Sequence, residues 1–319
     1  MKQFLLLLWI MTGAISLWAQ QETQYTQFMH YKLGLNPAYA GSSGSIELAG
    51  LVRNQWMGIE GSPQTQLLSF SLPLVNQRIG LGANILRKTI GVTNEYALET
   101  AYAYRIPVPR GYLGLGIQGS VRMLRIDYSQ LQGTQPISQD GAVPVDMQSK
   151  LVPNFGAGLY YSGQTFYFGV SVPRLLNSNI DLADGDGTIS RDVSHLYIMG
   201  GVELKAGEGL TLEPQLLLKL VSGAPLDLDI NVMGHFESRF HTGLSYRLGG
   251  SAGTGFGESA ALLIGADLTP NMQLGLAYDM TLSELRDFSS GSVEVMLRYL
   301  LQRKPASGED TETDSPRFF

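Results

Sequence analysis

Residues 225–248, PLDLDINVMGHFESRFHTGLSYRL, alternate apolar and polar side chains through two runs separated by Glu237, Ser238 and Arg239. In the first run Leu226, Leu228, Ile230, Val232 and Phe236 share one parity, while Asp227, Asp229, Asn231 and His235 share the other. In the second, Phe240, Leu244, Tyr246 and Leu248 stand against His241, Ser245 and Arg247. A strand sends successive side chains to opposite faces, so the pattern predicts a β-hairpin with one oily and one wet face. A simple antiparallel register sets His235 opposite His241, and Asp229 opposite Arg247. Whether the oil is a protein core or a lipid bilayer is decided by what surrounds the hairpin.

The same alternation recurs at 45–53, 64–74, 78–87, 94–106, 112–126, 153–161, 165–173, 194–204, 210–220, 226–236, 239–248, 259–268, 272–280 and 292–301. No segment reads as a helix. Links after the even-numbered segments are tight, such as Val75-Asn76-Gln77 and Ser162-Gly163-Gln164, while the others tend to be longer, especially 127–152 and 174–193. Short turns at one end and long loops at the other predict an all-β, transmembrane antiparallel β-barrel of about 14 strands, with short periplasmic turns and long extracellular loops. A β-sandwich has no reason to keep that alternation. Leu113, Leu115, Ile117, Val121 and Met123 then face lipid, as do Leu210, Leu212, Leu216, Leu218 and Leu220. Asp227, Asp229, Asn231, His235, His241 and Arg247 face the lumen with Gln118, Arg122, Glu213, Gln215, Lys219, Gln273 and Asp279. Tyr104, Tyr112, Tyr160 and Tyr299, near strand ends, are assigned to interfacial girdles. A lumen of this width needs filling or water, and residues 21–39, the long loops, or both are expected to occlude it.

The chain opens with Lys2, an apolar run from Phe4 to Met11, and Leu17-Trp18-Ala19 before polar Gln20, the layout of a signal peptide over residues 1–19. Residues 20–44, broken by Pro37 and the Gly41 to Gly44 cluster, read as a non-strand periplasmic or lumenal lead-in to a barrel over 45–301. Residues 302–319 turn acidic with Glu309, Asp310, Glu312 and Asp314, giving a flexible periplasmic tail whose Arg317, Phe318 and Phe319 are partner-binding candidates. Both termini are therefore expected on the periplasmic side of the outer membrane. Charged residues are 16% of the sequence, against roughly a quarter in soluble domains. The net charge of −6 argues against a nucleic-acid partner. With no Cys, lipoprotein attachment, disulfides and thiolate chemistry are excluded.

Asp184-Gly185-Asp186-Gly187 resembles the middle of an EF-hand loop, but Leu182 and Val193 stand where calcium needs carboxylates. The stretch reads as a surface loop, with at most weak calcium binding by Asp181, Asp184 and Asp186. His235 and His241 are too few to hold a metal alone. No nucleophile elbow, zincin motif or phosphate loop occurs, so no enzyme and no cofactor are expected.

Gln27-Phe28-Met29, Asn36-Pro37-Ala38-Tyr39-Ala40-Gly41, Arg53-Asn54-Gln55-Trp56 and Gly61-Ser62-Pro63-Gln64-Thr65 resemble the opening of the PorP/SprF family of outer-membrane proteins. Ile79-Gly80-Leu81-Gly82, Tyr102-Ala103-Tyr104-Arg105, the 166–173 stretch, Tyr278-Asp279-Met280-Thr281 and Gly291-Ser292-Val293-Glu294-Val295 continue the resemblance in order. It implies a non-enzymatic component of type IX secretion and gliding machinery. Such a component lies in outer-membrane lipid, binds periplasmic components of that system, and assists export or surface anchoring of a large secreted adhesin. The alternative is a passive porin or small-solute channel.

Overall fold

In the computed structural model, residues 22–130, 147–180, 191–236, 239–249 and 257–301 are described. The alternation resolves into strands β1 (Ile46–Asn54), β2 (Gln64–Leu74), β3 (Ile79–Ile90), β4 (Thr93–Val108), β5 (Gly111–Ile126), β6 (Gln148–Gly163) and β7 (Phe166–Val172). After these come β8 (His195–Val202, continuing as Leu204–Gly207), β9 (Leu210–Val221), β10 (Asp227–Phe236), β11 (Phe240–Leu248), β12 (Ser259–Thr269), β13 (Met272–Thr281) and β14 (Ser292–Leu301). Each pairs antiparallel with its sequence neighbour, and β1 pairs with β14 from Ile46↔Leu301 to Asn54↔Val293. The sheet therefore closes into a 14-strand antiparallel barrel with no free edge. Closure satisfies every ladder within the wall, which is the condition for spanning a bilayer with strands.

The strand ends joined through 75–78, 109–110, 164–165, 208–209, 237–239 and 270–271 lie at one end. At the other end lie the strand ends joined through 55–63, 127–147, 173–194, 222–226, 249–258 and 282–291, together with the tight 91–92 turn. A two-stranded ribbon, Ser178–Asn179 with Arg191–Asp192, sits inside the longest of these. The sixth strand starts earlier than its sequence pattern, because its first residues pair along β5 from Gln148↔Ile126 onward. Such cross-strand support cannot be read locally.

Side-chain parity follows the sequence. Leu244, Ile117, Ile85 and Leu262 are at least half exposed on the outer face, and Gln118, Arg122, Glu213, Gln215, Lys219, Gln273 and Asp279 are buried on the inner one. Two tyrosines assigned to girdles are instead lumenal. Tyr160 is 1% exposed and stacks on Tyr167 at 5.8 Å, and Tyr112 shares the inward parity of Gly114 and Gly116, with the Arg105 guanidinium 4.6 Å from its ring. Parity overrides position near a strand end. Tyr104 and Tyr299 face outward.

The outer face is thus a lipid surface. Leu244→Arg, near the middle of β11, is expected to destabilise the barrel by about 2–4 kcal/mol, read from guanidinium unfolding in liposomes.

Candidate functional site: the filled lumen

Residues 22–45 run through the inside of the wall. Three single helical turns, Phe28–His30, Lys32–Leu35 and Pro37–Tyr39, occur where the sequence predicted no helix. Inside a lumen the backbone cannot lean on bulk water, so short turns and wall contacts satisfy it. Asn36 caps the third turn, its Oδ1 accepting from Ala38 N at 2.9 Å, while its Nδ2 donates to Leu159 O at 2.8 Å. Pro37 at the first helical position fits the same start. Two wall glycines let the chain lie against the strands. A Cβ on Gly116 would stand 2.2 Å from Ala38 N, and one on Gly80 would stand 1.9 Å from Ala40 O.

The segment runs between the two mouths. Ala40, Gly41 and Tyr39 lie at the short-turn end, where Gly41 O accepts from Arg105 Nη1 at 2.7 Å and the Tyr39 hydroxyl donates to Glu47 at 2.9 Å. Gln24, however, donates to Asp227 and Glu258, both at 3.2 Å, beside the long loops. The described chain therefore begins at the long-loop mouth and exits into β1 at the opposite end, whereas β14 finishes at the short-turn end. Glu22, the first described residue, and Leu301, the last, therefore lie at opposite mouths. Alternation of strands sets the side on which β1 starts but says nothing of how the lead-in approaches it.

Aromatic and charged layers fill the space between. Tyr25 meets Tyr31 edge-on at 4.8 Å, Tyr39 meets Tyr160 at 5.4 Å, and Lys32 Nζ lies 3.7 Å from the Tyr167 centroid. Arg53 Nη2 contacts Asp279 Oδ2 at 2.6 Å and its Nη1 contacts Glu294 Oε2 at 3.1 Å. Arg298 Nε holds Glu47 at 2.7 Å. Arg122 pairs with Glu95 at 3.5 Å and with Asp192, and Arg174 pairs with Glu99 at 3.5 Å and with Glu22. Burial would raise Glu22, but Arg174, His195 and Arg122 together bring it down to about 2.

The hairpin residues that opened the sequence argument meet in the lumen wall. Asp229 Oδ1 accepts from Arg247 Nε at 2.5 Å and Asp229 Oδ2 lies 2.8 Å from Lys219 Nζ, with Asp227 3.2 Å from the same ammonium. Asn231 is fully buried between the acidic pair and the histidines. His235 and His241 face each other at 2.8 Å between Nδ1 atoms, His235 Nε2 reaches Glu213 at 3.1 Å, and His241 Nε2 reaches Asp267 at 3.0 Å. Among the described residues no group of three or more His, Cys, Asp and Glu is arranged to hold a metal. Asp181, Asp184 and Asp186, and the tail residues Arg317, Phe318 and Phe319, lie outside the described residues. Sequence reasoning did not single out Arg53, Glu47, Glu294 or Arg298 as site residues. Their signal was present as isolated charges at inward parity, between apolar neighbours for Glu47, Glu294 and Arg298 and beside Val52 for Arg53.

The family model for the type IX secretion system membrane protein PorP/SprF matches residues 17–299. No curated protein matches. Among solved structures, the toluene transporter TbuX of Ralstonia pickettii is similar at 9% identity and a TM-score of 0.50, over 85% of this chain and 93% of that one. The outer membrane protein Omp33 of Acinetobacter baumannii gives 8% identity and a TM-score of 0.48, over 81% and 98%. The monoaromatic hydrocarbon channel CymD gives 10% and 0.49, over 88% and 93%. At 9% identity the likeness to TbuX speaks to the barrel fold alone.

Because Glu22 titrates below its ordinary value of 4.5 when folded, its contribution is complete above that pH and fades as pH falls toward about 2. The stability gap between wild type and Glu22→Gln is therefore expected in full at pH 7 and to close over that acid range, measured by thermal unfolding in detergent.

Proposed function

Because the chain belongs to the PorP/SprF family of type IX secretion system membrane proteins, we propose that it serves that system as a non-catalytic, partner-binding barrel of the outer membrane. Residues 1–19 act as the export signal, the short turns face the periplasm, and the long loops face outward. Periplasmic secretion components bind the short-turn side, with the 302–319 tail and its Arg317, Phe318 and Phe319 as contacts. A large surface adhesin is exported or anchored with the help of the long-loop side, in the service of gliding.

Family membership carries this reading, and the filled lumen supports it against a passive porin. A diffusion channel needs a continuous wet path, whereas residues 22–45 and the inner-wall ion pairs occupy the space here. The non-catalytic reading is supported by the state of the inner-wall groups, since the His235–His241 pair and its two carboxylates are turned on one another.

Purified protein is expected to conduct poorly in planar bilayers and to open when residues 22–44 are removed. Pull-downs from native membranes, read by mass spectrometry, are expected to recover type IX secretion components. Removing 302–319 should lose the periplasmic ones, and removing 174–193 the surface ones. Porin-like conductance of the intact chain together with an empty pull-down would defeat the proposal.

A further inference from the structure

Residues 24–27, ahead of the first helical turn, sit in a seat built by six strands or their ends. Both oxygens of the Glu294 carboxylate accept from successive backbone donors, Oε2 from Thr26 N at 3.0 Å and Oε1 from Gln27 N at 2.8 Å. The Thr26 hydroxyl donates to Asp279 at 2.7 Å and accepts from Arg53 Nη1 at 2.9 Å. Arg247 donates to Gln24 Oε1 at 3.2 Å and to Tyr25 O at 3.5 Å. The Gln24 amide nitrogen lies between Asp227 Oδ2 and Glu258 Oε2, 3.2 Å from each. These are the contacts of a peptide receptor. They read backbone N–H, backbone C=O, a hydroxyl and an amide, and the receiving groups Arg53, Arg247, Asp279 and Glu294 are nearly or fully buried.

Charge in the seat does not match its occupant. Around Gln24 to Gln27, which carry no charge, stand five carboxylates (Asp227, Asp229, Glu258, Asp279, Glu294) and three cations (Arg53, Lys219, Arg247). The excess is negative, and it is greatest where Gln24 offers one neutral amide to two acids. A lysine or arginine side chain at that place would replace two amide–carboxylate hydrogen bonds with ion pairs to the same two acids, while giving up the bond that Gln24 Oε1 accepts from Arg247. The occupant is also separable from the rest of the segment. From Tyr31 on, the chain is held by other groups, namely Asn36 on β6 and β7, Tyr39 on β1 and Gly41 against β2 and β4. Upstream, Glu22 opens at the long-loop mouth.

We propose that this seat is a peptide-binding site occupied in cis by residues 24–27, and that its ligand in trans is a short segment of a second protein bearing Lys or Arg at the place of Gln24. That segment enters by the long-loop mouth and releases residues 22–27 while residues 31–45 stay seated. The inference deepens the partner-binding reading, yet a peptide titration needs no secretion component and so succeeds or fails separately from it.

The test uses two labelled peptides, ETQYTQ (residues 22–27) and the same peptide carrying Gln24→Lys. With the barrel lacking residues 22–27, the lysine peptide is expected to bind about tenfold more tightly than the native one, and Glu258→Gln in the barrel should remove that preference. Equal binding of the two peptides, or binding of neither to a folded barrel, would overturn the proposal. Should the shortened barrel fail to fold, the full-length chain decides. With Thr23→Cys as the reporter, the lysine peptide should accelerate maleimide labelling at the long-loop mouth, and an unchanged rate would equally overturn it.

Discussion

A wall of fourteen strands encloses more space than its own inward side chains can fill, and most of this architecture answers that constraint. Water could take up the space, at the cost of an open path through the membrane. This chain fills it with its own residues 22–45, which bring Tyr25, Phe28, Tyr31, Leu33, Leu35 and Tyr39 into the interior as a buried cluster. The barrel thereby acquires what an open pore lacks, a packed core. The glycines on the inner wall, Gly80 and Gly116 above all, belong to the same solution. They thin the wall where the lumenal backbone lies directly on it.

Polarity in this core is inverted relative to a soluble protein, since the oily surface points out and the charges point in. Isolated buried ion pairs contribute little net stability, because desolvation offsets their attraction. Their contribution here is to position. Arg53 holds Asp279 and Glu294 from β13 and β14 while its guanidinium also donates to Thr26. One side chain thus sets the height of the lumenal segment against three neighbouring strands. Arg298, Glu47 and Tyr39 do the same at the other end. An oily lining would fill the volume equally well and leave the segment free to slide.

The strands were legible in the sequence because a period of two, held against a lipid surface, leaves little freedom of register. That is why the pairs His235↔His241 and Asp229↔Arg247 follow from the turn alone, and why the observed register contains both. The hairpin's inward residues were legible for the same reason. What could not be read depends on contacts between distant parts of the chain. Glu47 meets Arg298 across the β1–β14 seam, and neither residue predicts the other locally. The turns at 32–39 form against walls supplied by β2 to β7, and Met29 of the first turn packs with Met233, Ala261, Leu263 and Ala277 on the other side. Tyr160 was misread because closeness to a strand end was weighed above parity. The short motifs carrying the family resemblance acquire a physical meaning. Gln27, Asn36 to Gly41, Arg53, Gly80, Arg105, Asp279 and Glu294 are where the lumenal segment and the wall touch.

The course of the lumenal segment also has a mechanical side. Residues 24–27 bear on β1 and β10 to β14, whereas residues 32–38 bear chiefly on β3 and β5 to β7. The segment is therefore a diagonal tie between opposite halves of the cylinder. A closed sheet resists stretching along its strands but flattens easily into an ellipse, and a tie across the diameter stiffens that soft mode.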